Sequence, residues 1–315
     1  MTLDRGLLVS RAVHQRLLWR VRRQLSRNRV QEELSGFLFI SPWLIGLFLF
    51  TLGPMIAALF LGFTRYDMAR PPKLVGLYNY SRALRDEDFR IALYNTLRYI
   101  LMSIPASLTL SLLVALAMNQ ALRGITFFRT AFFLPVVTSG VATVLLWSYM
   151  FNQYGVLNYL LGLVGLRPVR WLGVTWALRS IVIMGLWGGL GYTMMYWLAG
   201  LQGIPQELYE AAEIDGGGRL ARFRHVTLPM LSPMIFFLVI VSIIGSFQVF
   251  VSTYIMTGGG PGKATLTVAL MIFQKAFQSW LMGYACALAY LLFLIVFVLT
   301  MIQWRVRKLW VFGEE

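Results

Sequence analysis

Long stretches without a charged side chain constrain this sequence more than any other feature. Residues 36–64 and 130–166 contain no Asp, Glu, Lys or Arg. A helix of about 20 apolar residues is long enough to cross a bilayer, and inside lipid the backbone must satisfy its own hydrogen bonds. The composition, with 58% hydrophobic and 13% charged residues, is unlike that of a soluble domain. The sequence therefore predicts an all-α, multi-pass membrane bundle.

Charged residues, glycines and prolines divide the chain into six predicted transmembrane helices. They cover residues 36–64, 91–122, 131–151, 180–201, 230–256 and 284–304. Shorter helices are predicted at 155–165 and 264–280. Gly53-Pro54 is expected to bend the first span, and Gly185, Gly188, Gly189 and Gly191 allow close helix packing in the fourth.

Basic residues are concentrated before the first span. Residues 1–35 carry eight arginines, and Val13, Leu17 and Val21 recur at helical spacing. This pattern favours a basic amphipathic helix on the anionic cytoplasmic leaflet, with a disordered basic tail as the alternative. The net charge of +15 is spread over the loops, which favours lipid over nucleic acid as the partner. The predicted division is an N-terminal cytoplasmic helix at 1–35, a six-span domain at 36–304 and a cytoplasmic C-terminal tail at 305–315.

Residues suited to catalysis or metal binding are scarce. His14 and His225 are the only histidines and Cys286 is the only cysteine, so neither a metal site nor an intrachain disulfide is predicted. The segment 258–263 resembles a phosphate-binding loop, but that pattern requires glycine where Thr257 stands and Ser or Thr where Ala264 stands. We therefore expect no enzyme and no cofactor bound by this chain.

The segment 204–233 is the longest charged stretch between two apolar spans in the C-terminal half. Pro205 suits the first turn of a helix, and the acidic residues after it suit the positive end of the helix dipole. Gly216, Gly217 and Gly218 are expected to end that helix. The sequence predicts a helix of about seven to ten residues, a break, and a second, basic turn. A helix this short is marginal alone in water; the simplest interpretation is an amphipathic loop on the headgroups.

Three groups of residues in this segment carry a family resemblance: Glu210-Ala211-Ala212, Asp215-Gly216 and Leu228-Pro229. In residue type and spacing they resemble the EAA loop of ABC-importer permeases. In that family the loop is a coupling helix that sits in a cleft of a cytoplasmic ATPase subunit. The resemblance implies ATPase-coupling roles for six residues: Glu207, Glu210, Ala211, Ala212, Asp215 and Gly216.

Further motifs are similar to sugar-type permeases, particularly to the first of the two permeases in such importers. They are 257–261, Thr265, 273–277 and 283–285, with 76–80 and 95–97 earlier in the chain. Together the resemblance covers residues 36–308. It implies a type I importer fold with four partners of three kinds: a second related permease, two ATPase subunits that use ATP, and an extracytoplasmic binding protein. The implied function is to form half of the pathway for a sugar or related polyol, by alternating access.

Substrate contacts are predicted in the fifth span. Ser246, Phe247, Gln248 and Tyr254 are polar or aromatic groups that suit a central pathway, and Phe247 and Tyr254 are seven residues apart, hence on one helix face. The alternative is that these side chains only hold helices together.

Sidedness and mechanism leave alternatives. More Lys and Arg lie on the side of the termini, which favours a cytoplasmic location for both in an inner membrane. An ion-coupled secondary transporter is the main alternative function. It would be expected to carry carboxylates within its spans, whereas all thirteen Asp and Glu lie in predicted loops or tails. A membrane enzyme and a structural scaffold are the remaining alternatives.

Overall fold

The computed structural model describes residues 33–120 and 123–312, so the predicted basic helix lies almost entirely outside the described residues. The chain divides into two units, 1–60 and 61–315. The described part of the first unit belongs to helix α1 (Glu33–Gly62). Residues Leu47–Leu52 form a π-helical turn directly before Gly53, so the irregularity lies at the predicted bend.

The second unit begins with a two-stranded antiparallel ribbon, in which β1 (Thr64–Arg65) pairs with β2 (Lys73–Leu74). The helices that follow are α2 (Tyr78–Arg85), α3 (Glu87–Met118), α4 (Ile125–Phe133), α5 (Gly140–Met150), α6 (Val156–Leu163), α7 (Ala177–Gln202), α8 (Gln206–Ile214), α9 (Arg219–Met230), α10 (Ser232–Phe247), α11 (Val251–Thr257), α12 (Val268–Phe273) and α13 (Met282–Val306). A 3₁₀ turn, Arg307–Leu309, follows α13.

Four of the helices, α1, α3, α7 and α13, are individually long and apolar enough to cross a membrane. Two bent pairs of helices are long and apolar enough only when the two members of each pair are taken together. Helices α4 and α5 meet at 97°, and α9 and α10 meet at 62°. If each pair is one crossing, residues 33–120 and 123–312 contain six, the number that the sequence predicts.

The third and fifth spans were predicted as continuous helices over 131–151 and 230–256, and this is wrong. Pro135 lies in a 3₁₀ turn between α4 and α5. Helix α10 ends at Phe247, and helical structure resumes only at Val251. The hydroxyls of Thr253 and Thr267 donate to the carbonyl oxygens of Phe250 and Val249 at 2.8 and 3.0 Å. These bonds satisfy backbone groups that a break inside a membrane would otherwise leave unpaired.

Two further predictions differ from the structure: the segment 65–90 is more structured than predicted, and the helix predicted at 264–280 is shorter. The predicted loop at 65–90 contains the ribbon and α2, and the second span begins at Glu87, where the Asp86 carboxylate accepts the backbone N–H of Asp88 at 2.9 Å. The short helix predicted at 264–280 is limited to α12 and a π-helical turn, Gln274–Gln278.

Close packing between α3 and α7 forms the centre of the second unit. The buried Trp197 indole N–H donates to the Ser111 hydroxyl at 2.9 Å. On the same helix, a Cβ at Gly191 would collide with the backbone of Phe132, so this glycine permits α4 to approach α7, as predicted. Gly188 and Gly189 have open space where a Cβ would be.

The second unit has two distinct ends. At the first, which we call the ribbon end, the Asn79 amide donates to the carbonyl oxygens of Gly62 and Thr64 at 2.9 and 2.8 Å. The Asn95 amide donates to Lys263 and Leu266 carbonyls at 2.8 and 3.1 Å. The opposite end, which we call the α8 end, comprises α8, the start of α10 and residues 307–312.

Candidate functional sites: an exposed acidic helix and a serine-lined cavity

Helix α8 has a complete backbone cap at its C-terminus. Gly216 adopts a left-handed backbone with φ of +79°, a conformation that costs most other residues about 1–2 kcal/mol. Its N–H donates to the Glu213 carbonyl at 3.0 Å, and the Gly217 N–H donates to the Ala212 carbonyl at 2.8 Å. This pair of bonds is a Schellman motif, which fixes where the helix ends.

One side of α8 is attached to α9. The hydroxyls of Tyr209 and Thr227 form a hydrogen bond of 3.1 Å. Arg222 pairs with the Glu213 carboxylate at 2.9 Å across the glycine turn. These contacts make α8 and α9 a connected unit, although the ion pair is partly exposed and contributes little by itself. The sequence did not predict that Tyr209, Glu213 and Arg222 position α8 against α9.

The other side of α8 is exposed. Glu207, Glu210, Ala211, Asp215 and Gly216 are exposed, and Ala212 is half-buried. Beside them, Ile214 is 86% exposed and Leu220, beyond the glycine turn, is 79% exposed. The six residues predicted for coupling thus lie together on one short, capped segment. Exposed aliphatic side chains next to carboxylates are typical of a surface that another protein covers. In the sequence, the isoleucine at the end of an acidic helix could have indicated this surface.

A cavity of about 250 Å³ lies between α3, α7 and α10. Its hydroxyl groups come from Tyr99, Ser103, Ser107, Ser242 and Ser246. The serines form two pairs, each spaced four residues apart, so each pair lies on one face of its helix. Gly185 of α7 completes the lining, where a Cβ would come within 3.1 Å of the Tyr99 hydroxyl. Small residues on three helices therefore create the space.

The serine hydroxyls of this cavity differ from others in the spans. Thr96, Ser111 and Ser148 donate to the carbonyl four residues earlier. Within the described residues, the cavity serines have no such bond, and the Ser103 Oγ is buried without any partner. A buried polar group usually has a hydrogen-bond partner, so this hydroxyl is available to a solute. Two S-x-x-x-S repeats in apolar spans were the sequence signal that would have identified Ser103, Ser107 and Ser242.

A second cavity, of about 590 Å³, adjoins the first and shares Gly185 and Val249 with it. It is bordered by the bend between α4 and α5, by Gly188 and by the break after α10. Gln248 at that break contributes an amide. None of the residues that line the two cavities carries a charge.

The four predicted substrate residues are separated by the structure. Ser246 lines the first cavity and Gln248 the second. Phe247 is fully buried and lines neither. Tyr254 stacks on Phe250, with ring centres 5.4 Å apart. The argument that Phe247 and Tyr254 share a helix face does not hold, because the helix breaks between them.

The glycine-rich segment 258–263 lies at the ribbon end. The Lys263 ammonium group pairs with the Asp88 carboxylate at 2.6 Å, and this hydrogen bond raises the pKa of Lys263. Lys275 approaches the same carboxylate at 3.6 Å. The segment is thereby attached to the first turn of α3.

These features define a multi-pass helical membrane protein with two adjoining uncharged cavities and an exposed short helix at one end. Residues 89–308 match the family model described as "binding-protein-dependent transport system inner membrane component". The chain belongs to this family, whose members are transport components rather than enzymes. It is a permease subunit of the inner membrane, and the family does not favour an ion-coupled transporter.

Similar proteins cover nearly the whole chain. The "probable ABC transporter permease protein YesP" of Bacillus subtilis (strain 168) is 39% identical over 92% of this chain and 96% of its own. The "lactose transport system permease protein LacF" of Rhizobium radiobacter is 37% identical over 88% and 95%. Among solved structures, a chain of a bacterial alginate ABC transporter in complex with an alginate pentasaccharide-bound periplasmic protein has a TM-score of 0.78 at 21% identity, over 89% and 96%. This last likeness supports the fold.

Proposed function

We propose that this chain forms half of the translocation pathway of an ATP-driven importer for a sugar or related polyol. The other half is a second, related permease, so that the pair is a heterodimer. Two cytoplasmic ATPase subunits bind and use ATP, and an extracytoplasmic binding protein delivers the solute. The chain itself binds no cofactor. The name of the relative LacF supports a sugar as the solute, because that protein is described as a lactose permease.

The observation that carries this proposal is the exposed, capped helix α8. It acts as the coupling helix, with Glu207, Glu210, Ala211, Ala212, Asp215 and Gly216 as its contact and hinge residues. The ATPase subunit covers the surface on which Ile214 is 86% exposed. The α8 end therefore faces the cytoplasm. We propose that the C-terminus is also cytoplasmic, and the hydrogen bond from the Phe312 N–H to the Ser232 hydroxyl at this end supports this. With the six crossings that we propose, the N-terminus lies on the same side.

The fold provides a mechanical route from α8 to the solute. Closure of the ATPase pair moves α8, and the contacts of Tyr209 and Glu213 transmit the motion to α9. Helix α9 leads through its 62° bend into α10, which carries Ser242 and Ser246 in the first cavity. A displacement of α8 thus changes the cavity wall, which is what alternating access between two states requires.

The two cavities are the proposed solute path. Hydroxyl and amide groups can exchange hydrogen bonds with a polyhydroxylated solute, and burial without charge suits a neutral one. Ser103 and Ser246 in the first cavity and Gln248 in the second are the proposed contacts. Phe247 and Tyr254 are assigned to packing around the break after α10.

Charge reversal on α8 tests the proposal. In proteoliposomes that contain the copurified complex, Glu210→Lys should abolish ATP-dependent uptake while leaving membrane insertion intact, because it places a cation where the ATPase meets an acidic surface. Glu87→Lys, an equally exposed carboxylate at the ribbon end, is the matched control and should retain uptake. Wild-type uptake by Glu210→Lys within an intact complex would refute the coupling role of α8.

A further inference from the structure

The described residues that follow α13 pack against the rest of the second unit. The 3₁₀ turn Arg307–Leu309 follows α13, and the Val311 N–H then donates back to the Arg307 carbonyl at 2.9 Å. The Val311 side chain is only 6% exposed. Residues 304–312, which we call the C-terminal turn, are therefore held against the bundle.

The C-terminal turn is bonded to the junction between α9 and α10. The Phe312 N–H donates to the Ser232 hydroxyl at 2.8 Å. The same hydroxyl donates to the Pro229 carbonyl at 2.6 Å. In addition, the rings of Trp310 and Phe236 lie 6.0 Å apart. The Ser232 hydroxyl thus connects the C-terminal turn with the end of α9 and the start of α10.

The outer surface of the C-terminal turn combines apolar and basic groups. Leu309 is 83% exposed, Phe312 63% and Trp304 51%. Arg305 and Lys308 are also exposed, and within the described residues neither pairs with an acidic side chain. The turn contains the last residues of the 28-residue span Met282–Leu309, which is longer than the roughly 20 residues that cross the hydrocarbon core. Tryptophan and basic side chains at such a position lie at the membrane–water interface.

We propose that the C-terminal turn is a binding site for anionic phospholipid headgroups that stabilises the junction between α9 and α10. Leu309, Trp304 and Phe312 insert at the headgroup boundary, and Arg305 and Lys308 pair with the lipid phosphate and its neighbours. A zwitterionic surface would accept the apolar groups but would attract the two cations far less. Any effect of this junction on transport rests on the proposed function of α8, whereas the lipid binding itself does not.

The binding site is tested by removing its charge. In nanodiscs, the full-length chain with its copurifying subunits should retain phosphatidylglycerol in preference to phosphatidylcholine, as measured by native mass spectrometry. Arg305→Gln with Lys308→Gln should weaken this preference roughly ten- to thirtyfold, because each basic residue near an anionic surface contributes about 1 kcal/mol and about 1.4 kcal/mol is tenfold.

Arg70→Gln with Lys73→Gln is the matched control, since it removes the same two charges from exposed positions of the ribbon. It should leave the preference unchanged. The proposal is overturned if Arg305→Gln with Lys308→Gln binds as wild type does, or if both double variants lose the preference equally. It is also overturned if added ATPase subunit displaces the lipid, because that protein would then be the occupant of this surface.

The connection to the α9–α10 junction is tested by hydrogen exchange. Phosphatidylglycerol should slow exchange in residues 228–236 and 309–312 of the wild-type chain, and phosphatidylcholine should not. Ser232→Ala removes the connecting hydroxyl, so it should keep the lipid preference but lose the added protection at 228–236. Equal protection in Ser232→Ala and wild type would show that the hydroxyl does not connect the two, and would overturn that part of the proposal. Neither measurement needs a transport substrate, so failure here is separate from failure of the proposed function.

Discussion

Two buried serines of α3 illustrate how the role of a residue depends on its partner. Ser103 lines the first cavity, and its hydroxyl has no partner within the described residues. Ser111, two turns further along, accepts the Trp197 indole N–H at 2.9 Å. Both side chains are small and buried, so a substitution to alanine changes volume equally. The difference between them is that a protein group uses the Ser111 hydroxyl, whereas we propose that the solute uses the Ser103 hydroxyl.

Ser103→Ala should therefore affect transport and not stability. We expect the apparent affinity for the solute to fall about five- to tenfold, the value of one hydrogen bond, with thermal unfolding unchanged. Ser111→Ala should show the opposite pattern, with unfolding easier by about 1–3 kcal/mol because the Trp197 N–H is left unpaired. Uptake kinetics and thermal unfolding of the purified complex measure both. If Ser103→Ala destabilises the fold and leaves solute affinity unchanged, Ser103 is not a solute contact.

Backbone conformation separates Gly216 from Gly218. A Cβ at either position would meet nothing within 4 Å, but Gly216 has a φ of +79° and Gly218 a φ of −66°. Gly216→Ala should cost about 1–2 kcal/mol in the cap of α8, with faster hydrogen exchange across 206–216 and severalfold lower uptake. Gly218→Ala should be close to wild type in both measurements. Equal effects of the two substitutions would mean that the cap does not govern coupling.

Several residues that carry the family resemblance could be found from the sequence, but their structural roles could not. Asn79 and Asn95 were noted only as parts of motifs. The structure shows that each amide bonds two carbonyls of a distant segment. Partners more than 150 positions away in the chain, such as Leu266 for Asn95, leave no local pattern. The EAA segment, in contrast, was predictable because Pro205, the acidic residues and the glycines act within one short helix.

At the scale of elements, α7 is the helix on which the others converge. Gly191 allows the backbone of Phe132 to lie against α7, and Gly185 forms part of both cavities. Gly189 faces open space. The glycines in this helix therefore have different roles, whereas the sequence pattern predicts close helix packing for all of them.

Gly191→Ala should disturb the contact between α4 and α7. The added Cβ would meet backbone atoms, which cannot move aside as a flexible side chain can, and overpacking of this kind costs about 1–3 kcal/mol. Gly189→Ala is the control on the same helix and should be neutral. Thermal unfolding of the purified complex compares them, and an unchanged midpoint for Gly191→Ala would contradict the close approach.

Breaks within spans were the main feature that element-level prediction missed. Apolar length predicts six crossings, and the described residues contain four helices that are long and apolar enough to cross singly, or up to six if each bent pair is one crossing. Apolar length carries no information about the bends of 97° and 62°. It also does not reveal the break after α10, where the Val249 carbonyl is satisfied by the Thr267 hydroxyl from a later segment. Gln248 and the second cavity lie at such a break. The sequence could therefore indicate Gln248 as a polar contact, but it could not predict the cavity that this residue lines.

At the scale of the whole molecule, the two candidate sites are joined by one continuous structure. Helix α8 is bonded to α9, α9 leads into α10, and α10 forms a wall of the serine-lined cavity. The ribbon end is held separately by Asn95 and by the pair of Lys263 with Asp88. The proposed mechanism requires that the α8 end moves while the ribbon end keeps its contacts. Importers of this kind require such a division, because the energy enters at one face and the solute at the other.

The central claim is that α8 lies in the cytoplasm and is covered by an ATPase subunit. Its most direct test is Ile214→Cys in a Cys286→Ser background, since Ile214 is 86% exposed and Cys286 is the only native cysteine. A membrane-impermeant maleimide should label this cysteine in inverted vesicles stripped of ATPase and should not label it in intact cells. Adding back the ATPase should then block the labelling. Labelling from outside intact cells, or labelling in stripped inverted vesicles that the ATPase does not reduce, would contradict the account.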